Sequence, residues 1–176
     1  MNLQDNRLAI SVKYQCTQKQ IVNDMDVYQL PLKRQSTLAS PIIRRFSFGE
    51  PDGLTDKTAS KTILLMGVAG SGKTMWINAM VNYVLGVEWD DPFRFMLVVE
   101  DPRGSQAHSR TQEVTIYDLH YQDGFRIPFS LIVVDTPGFG DAGGLGRDSE
   151  ITAAIKQIFR SKSGVQVNIE NYKKVF

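Results

Sequence analysis

Residues 62–74 read Thr62-Ile63-Leu64-Leu65-Met66-Gly67-Val68-Ala69-Gly70-Ser71-Gly72-Lys73-Thr74. The first part of this stretch, residues 62–66, is a short apolar run and predicts a buried parallel strand. Its second part, Gly67 to Thr74, matches the pattern G-x-x-x-x-G-K-[ST]. In this pattern the glycines allow a tight turn, and several backbone N–H groups converge on phosphate oxygens. The alternative is a glycine-rich turn with an incidental lysine.

The residues after the loop predict a helix. Apolar side chains recur at helical spacing from Trp76 to Leu85, and Gly86 is a suitable stop. Strand, glycine loop and helix together form the setting that the loop pattern needs. In that setting Lys73 reaches the β- and γ-phosphates, the Thr74 hydroxyl ligates Mg²⁺, and the positive end of the helix faces the anion.

A second motif follows a second apolar run, Leu131-Ile132-Val133-Val134-Asp135-Thr136-Pro137-Gly138. Residues 129–134 predict a strand, so Asp135 comes at a strand end, where a carboxylate can hold Mg²⁺ through water. Gly138 completes the spacing D-x-x-G and can offer its backbone N–H to a γ-phosphate. A rival metal site stays open, because the apolar residues 95–99 also run into acids, Glu100 and Asp101.

A nucleotide switch also needs a hydroxyl between these two motifs to complete the Mg²⁺ shell. We assign Thr111, because it precedes the strand predicted at residues 114–119. Ser109 and Thr115 are the competitors, and Thr115 would lie within that strand.

The remaining pattern predicts an α/β fold, a three-layer sandwich of the phosphate-loop class with a mainly parallel sheet. Further elements are a strand at 93–99, a turn at Asp123-Gly124, a helix at 150–159 and a weak edge strand at 165–169. Residues 1–60 show no sustained period and three spaced prolines, which predicts an N-terminal arm or linker before a partial domain at 61–176. Docking of the arm onto a partner is the alternative.

Composition and charge bear on the partners of the protein and on its compartment. The net charge of +1 gives no electrostatic case for nucleic acid. Cys16 is the only cysteine, which excludes an intramolecular disulfide and fits a reducing compartment. No apolar run approaches the ~20 residues that cross a bilayer. We therefore expect a cytoplasmic protein without a transmembrane segment.

At this point the motifs resemble those of a known group. Gly67–Thr74, Ser109-x-Thr111 and Asp135-Thr136-Pro137-Gly138-Phe139-Gly140-Asp141 are similar to the first three G-motifs of septin-like and immunity-associated (GIMAP, AIG-type) GTPases. The resemblance implies GTP rather than ATP, Mg²⁺ as cofactor, slow hydrolysis, and self-association through the nucleotide-binding face. It also implies catalytic roles for Lys73, Thr111 and Gly138.

The resemblance ends before the base-reading motif of that group. Its members carry Asn/Thr-Lys-x-Asp downstream of D-x-x-G, and no residue string after Gly138 matches it. We therefore expect a G domain whose C-terminal half is missing after the third motif. Two other interpretations stay open: a phosphate-loop ATPase or kinase of another branch, and a truncated product that acts as an interaction partner.

Overall fold

Two mixed β-sheets and three helices organise the part of the chain that the structure describes. The computed structural model describes residues 6–36, 41–51, 59–98, 113–140 and 144–160. In these ranges the helices are α1 (Leu8–Gln15), α2 (Lys73–Val84) and α3 (Gly144–Arg160). The strands are β1 (Lys19–Val22), β2 (Met25–Gln29), β3 (Lys33–Arg34), β4 (Ile43–Phe48), β5 (Ser60–Leu65), β6 (Phe93–Met96), β7 (Val114–Leu119) and β8 (Ser130–Asp135). The predicted α/β class is confirmed.

The elements around the glycine-rich loop form close to where the sequence predicts them. β5 leads into the loop, and α2 begins at its lysine. Gly86 follows α2 with φ +78°, a left-handed conformation that ends a helix at little cost in glycine. The turn predicted at Asp123-Gly124 is present, with Gly124 at φ +96°. α3 begins earlier than predicted, and the edge strand predicted at 165–169 lies outside the described residues.

The five-stranded sheet has the order β3-β4-β7-β8-β5. β4 is parallel to β7 and β8 is parallel to β5, whereas the pairs β3–β4 and β7–β8 are antiparallel. The sheet is mixed, so the prediction of a mainly parallel sheet is not confirmed. The reason is that β7 and β8 are joined through the turn at 123–124 without a crossover helix, and such a connection pairs neighbours antiparallel.

The second sheet has three strands in the order β1-β2-β6. β1 and β2 form a hairpin whose two turn residues, Asn23 and Asp24, have φ +50° and +61°. Two successive positive φ values are typical of a turn that matches the twist of a hairpin. β2 then pairs in parallel with β6, which brings the N-terminal hairpin beside the chain that follows α2.

The N-terminal elements are part of the common core, which differs from the arm or linker predicted for residues 1–60. Ala9, Val12 and Leu30 are buried in one cluster with residues of α2 and β8. β4 adds a strand beside β7. Arg7 also forms a two-pronged ion pair with Asp91, at 2.8 and 2.9 Å. Each of these short elements buries only a few side chains, so their apolar residues show no sustained period along the sequence.

Helices pack on both faces of the five-stranded sheet. Val133 of β8 lies in a cluster with Ile77 and Val81 of α2. Its neighbour Val134 lies in a second cluster with Ile151 of α3. Because successive residues of a strand point to opposite faces, α2 and α3 cover opposite sides of the sheet. Within the described ranges, β8 is the only strand that pairs with β5.

Candidate functional site

The glycine-rich loop connects the end of β5 to the first turn of α2. Gly70 and Gly72 have φ +74° and +83°, and a Cβ added at either would meet none of the described atoms within 4 Å. The loop turns back on itself through a bond from Ser71 N–H to the carbonyl oxygen of Val68, at 3.3 Å. The loop residues 68–72 are exposed. The loop therefore has the left-handed turns and the open surface that a phosphate group requires.

The N-terminus of α2 has no capping side chain among the described residues. Gly72 is the N-cap residue. The first turn also contains no acidic residue. Since the first N–H groups of a helix have no partner inside the helix, they are available to an anion, and the helix dipole favours negative charge there.

The Lys73 ammonium group lies against its own loop. Its Nζ donates to the carbonyl oxygens of Gly67 at 3.0 Å and Val68 at 2.9 Å. It also lies 3.5 Å from the Ser71 hydroxyl oxygen. These bonds hold the positive charge at the loop, and the side chain stays partly exposed to solvent.

The second motif emerges beside the first one. β5 and β8 pair in parallel with Leu65 opposite Asp135, so both strands end at the same edge of the sheet. Beyond this point the Phe139 N–H donates to the Gly67 carbonyl oxygen at 3.2 Å, and Val68 and Phe139 form an isolated parallel bridge. The two loops therefore continue side by side after the sheet has ended.

Gly138 makes the closest approach between the two loops. A Cβ added at this position would lie 2.6 Å from the backbone nitrogen of Ala69 and 2.7 Å from its Cα. Contacts this short are not tolerated, so only glycine fits here. The D-x-x-G glycine is thus packed against the glycine-rich loop, a contact that could not be predicted from the positions of the two motifs in the sequence.

Asp135 is buried at the end of β8, with 1% of its surface exposed. The pKa of the Tyr117 phenol, on the neighbouring strand β7, is raised. Burial is the larger cause, and the negative charge of Asp135 is the second. Thr115, one of the competitors for the switch hydroxyl, lies in β7 opposite Asp135, as expected for a strand residue. Thr111 and Ser109 lie outside the described residues, as do Glu100 and Asp101 of the rival metal site.

The donor types at this edge fit a magnesium ion that arrives with a nucleotide. The described residues contain no cluster of three or more His, Cys, Asp and Glu side chains that could hold a metal. Mg²⁺ bound to a nucleotide needs no such cluster, because one or two protein oxygens suffice and phosphates and water fill the remaining positions. Asp135 and the Thr74 hydroxyl are oxygen donors of this kind.

Other chemistry finds less support in this part of the chain. Burial raises the pKa of the Cys16 thiol to about 11, so the group stays protonated at neutral pH and is not poised as a nucleophile. Among the helices of the described ranges, none is both long and apolar enough to span a membrane.

Two features of the site were not predicted from the sequence. The first is the Thr136 hydroxyl, which follows Asp135 and bonds to β5. The second is a cleft of about 950 Å³ that opens beside Thr74, between Asn78 of α2 and Val22 and Phe95 of the three-stranded sheet. The signal for Thr136 was its place directly after a strand-end acid, whereas the cleft depends on a pairing of β2 with β6 that no local pattern indicates.

Comparisons of the chain with protein-family models, with curated proteins and with solved structures found no match.

Proposed function

We propose that the protein binds a nucleoside triphosphate with Mg²⁺, and that the nucleotide is GTP. The observation that carries the proposal is the packing of Gly138 against Ala69, because it joins the two motifs into one surface. The two motifs lie far apart in the sequence, and the parallel pairing of β5 with β8 brings them together at one edge of the sheet. The preference for GTP over ATP is based on the resemblance of the motifs to those of septin-like and immunity-associated GTPases.

Each residue has a defined role in this proposal. The backbone N–H groups of residues 67–74 surround the phosphates, and Lys73 supplies positive charge to the β- and γ-phosphates. Thr74 and Asp135 hold the metal, directly and through water, and Thr111 completes its shell. Gly138 offers its backbone N–H to the γ-phosphate. Bound Mg²⁺ would neutralise charge on the β- and γ-phosphates.

We further propose the three-layer phosphate-loop fold of a G domain, acting as a slow GTPase switch or an assembling scaffold in the cytoplasm. The supporting observations are the order strand, glycine loop and helix, and the packing of α2 and α3 on opposite faces of the sheet. Self-association through the nucleotide-binding face is part of the same proposal.

Titration with a fluorescent GTP analogue tests the proposal. We expect Lys73→Ala to weaken binding at least about 10- to 100-fold, since charge-assisted hydrogen bonds contribute roughly 1.5–3 kcal/mol. The fold should persist, because Lys73 is partly exposed and its bonds within the described part of the chain are to its own loop. Lys156→Ala, on the exposed side of α3, removes the same charge elsewhere and is the matched control.

Competition separates the proposal from its alternatives. Displacement by GTP but not by ATP, with loss of affinity in EDTA, supports a Mg²⁺-GTP protein. Equal displacement by ATP favours another branch of phosphate-loop proteins. Equal affinity of Lys73→Ala and the unmodified protein, or no binding by either, contradicts the proposal.

A further inference from the structure

The Thr136 side chain joins the ends of the two strands that carry the motifs. Its hydroxyl donates to the Leu65 carbonyl oxygen at 2.7 Å, and the residue is completely buried. Leu65 is the last residue of β5, and only Met66 separates it from the glycine-rich loop. Thr136 follows the strand-end acid Asp135. This distance is typical of an O–H···O hydrogen bond.

The bond lies between two stretches of backbone pairing. The strand ladder ends with Leu65 opposite Asp135, and pairing resumes with the bridge between Val68 and Phe139. Pro137 lies between these two stretches of pairing, directly after Thr136. It has no N–H to donate, and it favours an extended backbone at Thr136. The Thr136 side chain therefore supplies the hydrogen bond at a place where the backbone of the following residue has no donor.

We propose that Thr136 is a positioning residue for nucleotide binding, a role that rests on the proposed function. Its hydroxyl holds the second motif in register with the first, so that Asp135 lies at the metal position and the Gly138 N–H lies at the γ-phosphate position. The bond thereby determines how strongly binding depends on Mg²⁺ and how far GTP is preferred over GDP. Thr136 does not touch the nucleotide in this proposal.

Three variants test the role of the hydroxyl. Thr136→Val keeps the shape of the buried side chain and removes the donor, and Thr136→Ser restores the donor. Thr62→Val is the matched control in β5, because the Thr62 hydroxyl is buried and makes no hydrogen bond within the described part of the chain. Affinities for fluorescent GTP and GDP are measured with Mg²⁺ and with EDTA, together with amide hydrogen exchange and thermal unfolding.

We expect Thr136→Val to lower two ratios, each by about tenfold: the affinity with Mg²⁺ relative to that with EDTA, and the affinity for GTP relative to that for GDP. A change of about tenfold is the effect of losing one hydrogen bond. The Phe139 amide, which donates to Gly67, should exchange about tenfold faster. Thr136→Ser should recover most of each ratio, and Thr62→Val should leave both unchanged.

A merely structural role predicts a different pattern. If Thr136→Val lowers the unfolding temperature but weakens all four binding conditions equally, or if both ratios are unchanged, the inference is wrong. Failure of Thr136→Ser to recover the two affinity ratios also overturns the inference. Failure of the proposed function is visible separately, since the unmodified protein would then show no nucleotide binding, and the inference would fall with it.

Discussion

At the residue scale, a single hydrogen atom in place of a methyl group at Gly138 allows the two motifs to touch. The added Cβ would meet backbone atoms of Ala69, which cannot rotate away as the end of a long side chain can. The same contact places Gly138 at the loop that carries Lys73. Its glycine identity thus has a steric reason that is independent of any nucleotide.

We predict that Gly138→Ala destabilises the protein by about 1–3 kcal/mol, because overpacking forces the backbone to shift. Nucleotide affinity should fall as well, since the two loops must move apart. Urea unfolding and titration with a GTP analogue measure the two effects.

Gly146→Ala is the control for this prediction. Among the described atoms, nothing lies within 4 Å of a Cβ at Gly146, which is in α3. Alanine should therefore stabilise the helix there, by up to about 1 kcal/mol. If both variants had the same stability as the unmodified protein, the close approach of Gly138 to Ala69 would be incorrect.

At the element scale, two asparagines of α2 take the place of a neighbouring strand for β6. Asn82 accepts from the Phe95 N–H at 2.8 Å and donates to the Phe95 carbonyl oxygen at 2.7 Å. Asn78, one turn earlier, accepts from the Leu97 N–H at 2.8 Å. One edge of β6 is thus hydrogen-bonded to α2, the helix that begins at Lys73.

We predict that Asn82→Ala lowers the free energy of unfolding by about 2–4 kcal/mol, because a backbone donor and acceptor at the buried Phe95 lose their side-chain partner. Gln157→Ala removes an amide from the exposed side of α3 and should change stability by less than about 0.5 kcal/mol. Urea denaturation compares the two. A similar, small change in both variants would show that these hydrogen bonds contribute little.

At the scale of the whole molecule, the N-terminal third is part of the folding unit. Val12 and Leu30 are buried in the cluster that contains α2, and β4 covers an edge of β7. Arg45 also bonds to Asp118 across these strands, at 2.9 Å between Nη2 and Oδ1. A domain that begins at residue 60 would expose all of these contacts.

We predict that a chain of residues 60–176 does not fold cooperatively. Each buried Val, Leu, Ile or Phe contributes about 1.5–3 kcal/mol, and several are lost, against a total stability of about 5–15 kcal/mol. Calorimetry and near-ultraviolet circular dichroism test this, and adding residues 1–59 as a separate chain should restore the transition. A sharp transition in residues 60–176 alone would return the N-terminal segment to the role of an arm.

Elements whose signals are local could be predicted from the amino-acid pattern. β5, the glycine-rich loop and α2 were predictable because an apolar run, glycines at fixed spacing and a helical period follow one another without interruption. β7 and β8 were predictable from apolar runs bounded by a turn. The residues predicted for the site, Gly67 to Thr74 with Asp135 and Gly138, come from patterns that are each complete within eight residues.

Which of these elements pair with one another is visible only in the tertiary structure. Pairing of β4 with β7 and of β2 with β6 joins residues far apart in the chain, and strands as short as β2 and β4 leave no sustained period to detect. The five-stranded sheet is mixed because β3 pairs with β4, and β7 with β8, in antiparallel orientation. The contact of Gly138 with Ala69 and the bond from Thr136 to Leu65 likewise exist only because β5 and β8 end at the same edge. Local patterns specify elements, whereas register between distant strands is set by packing of the whole molecule.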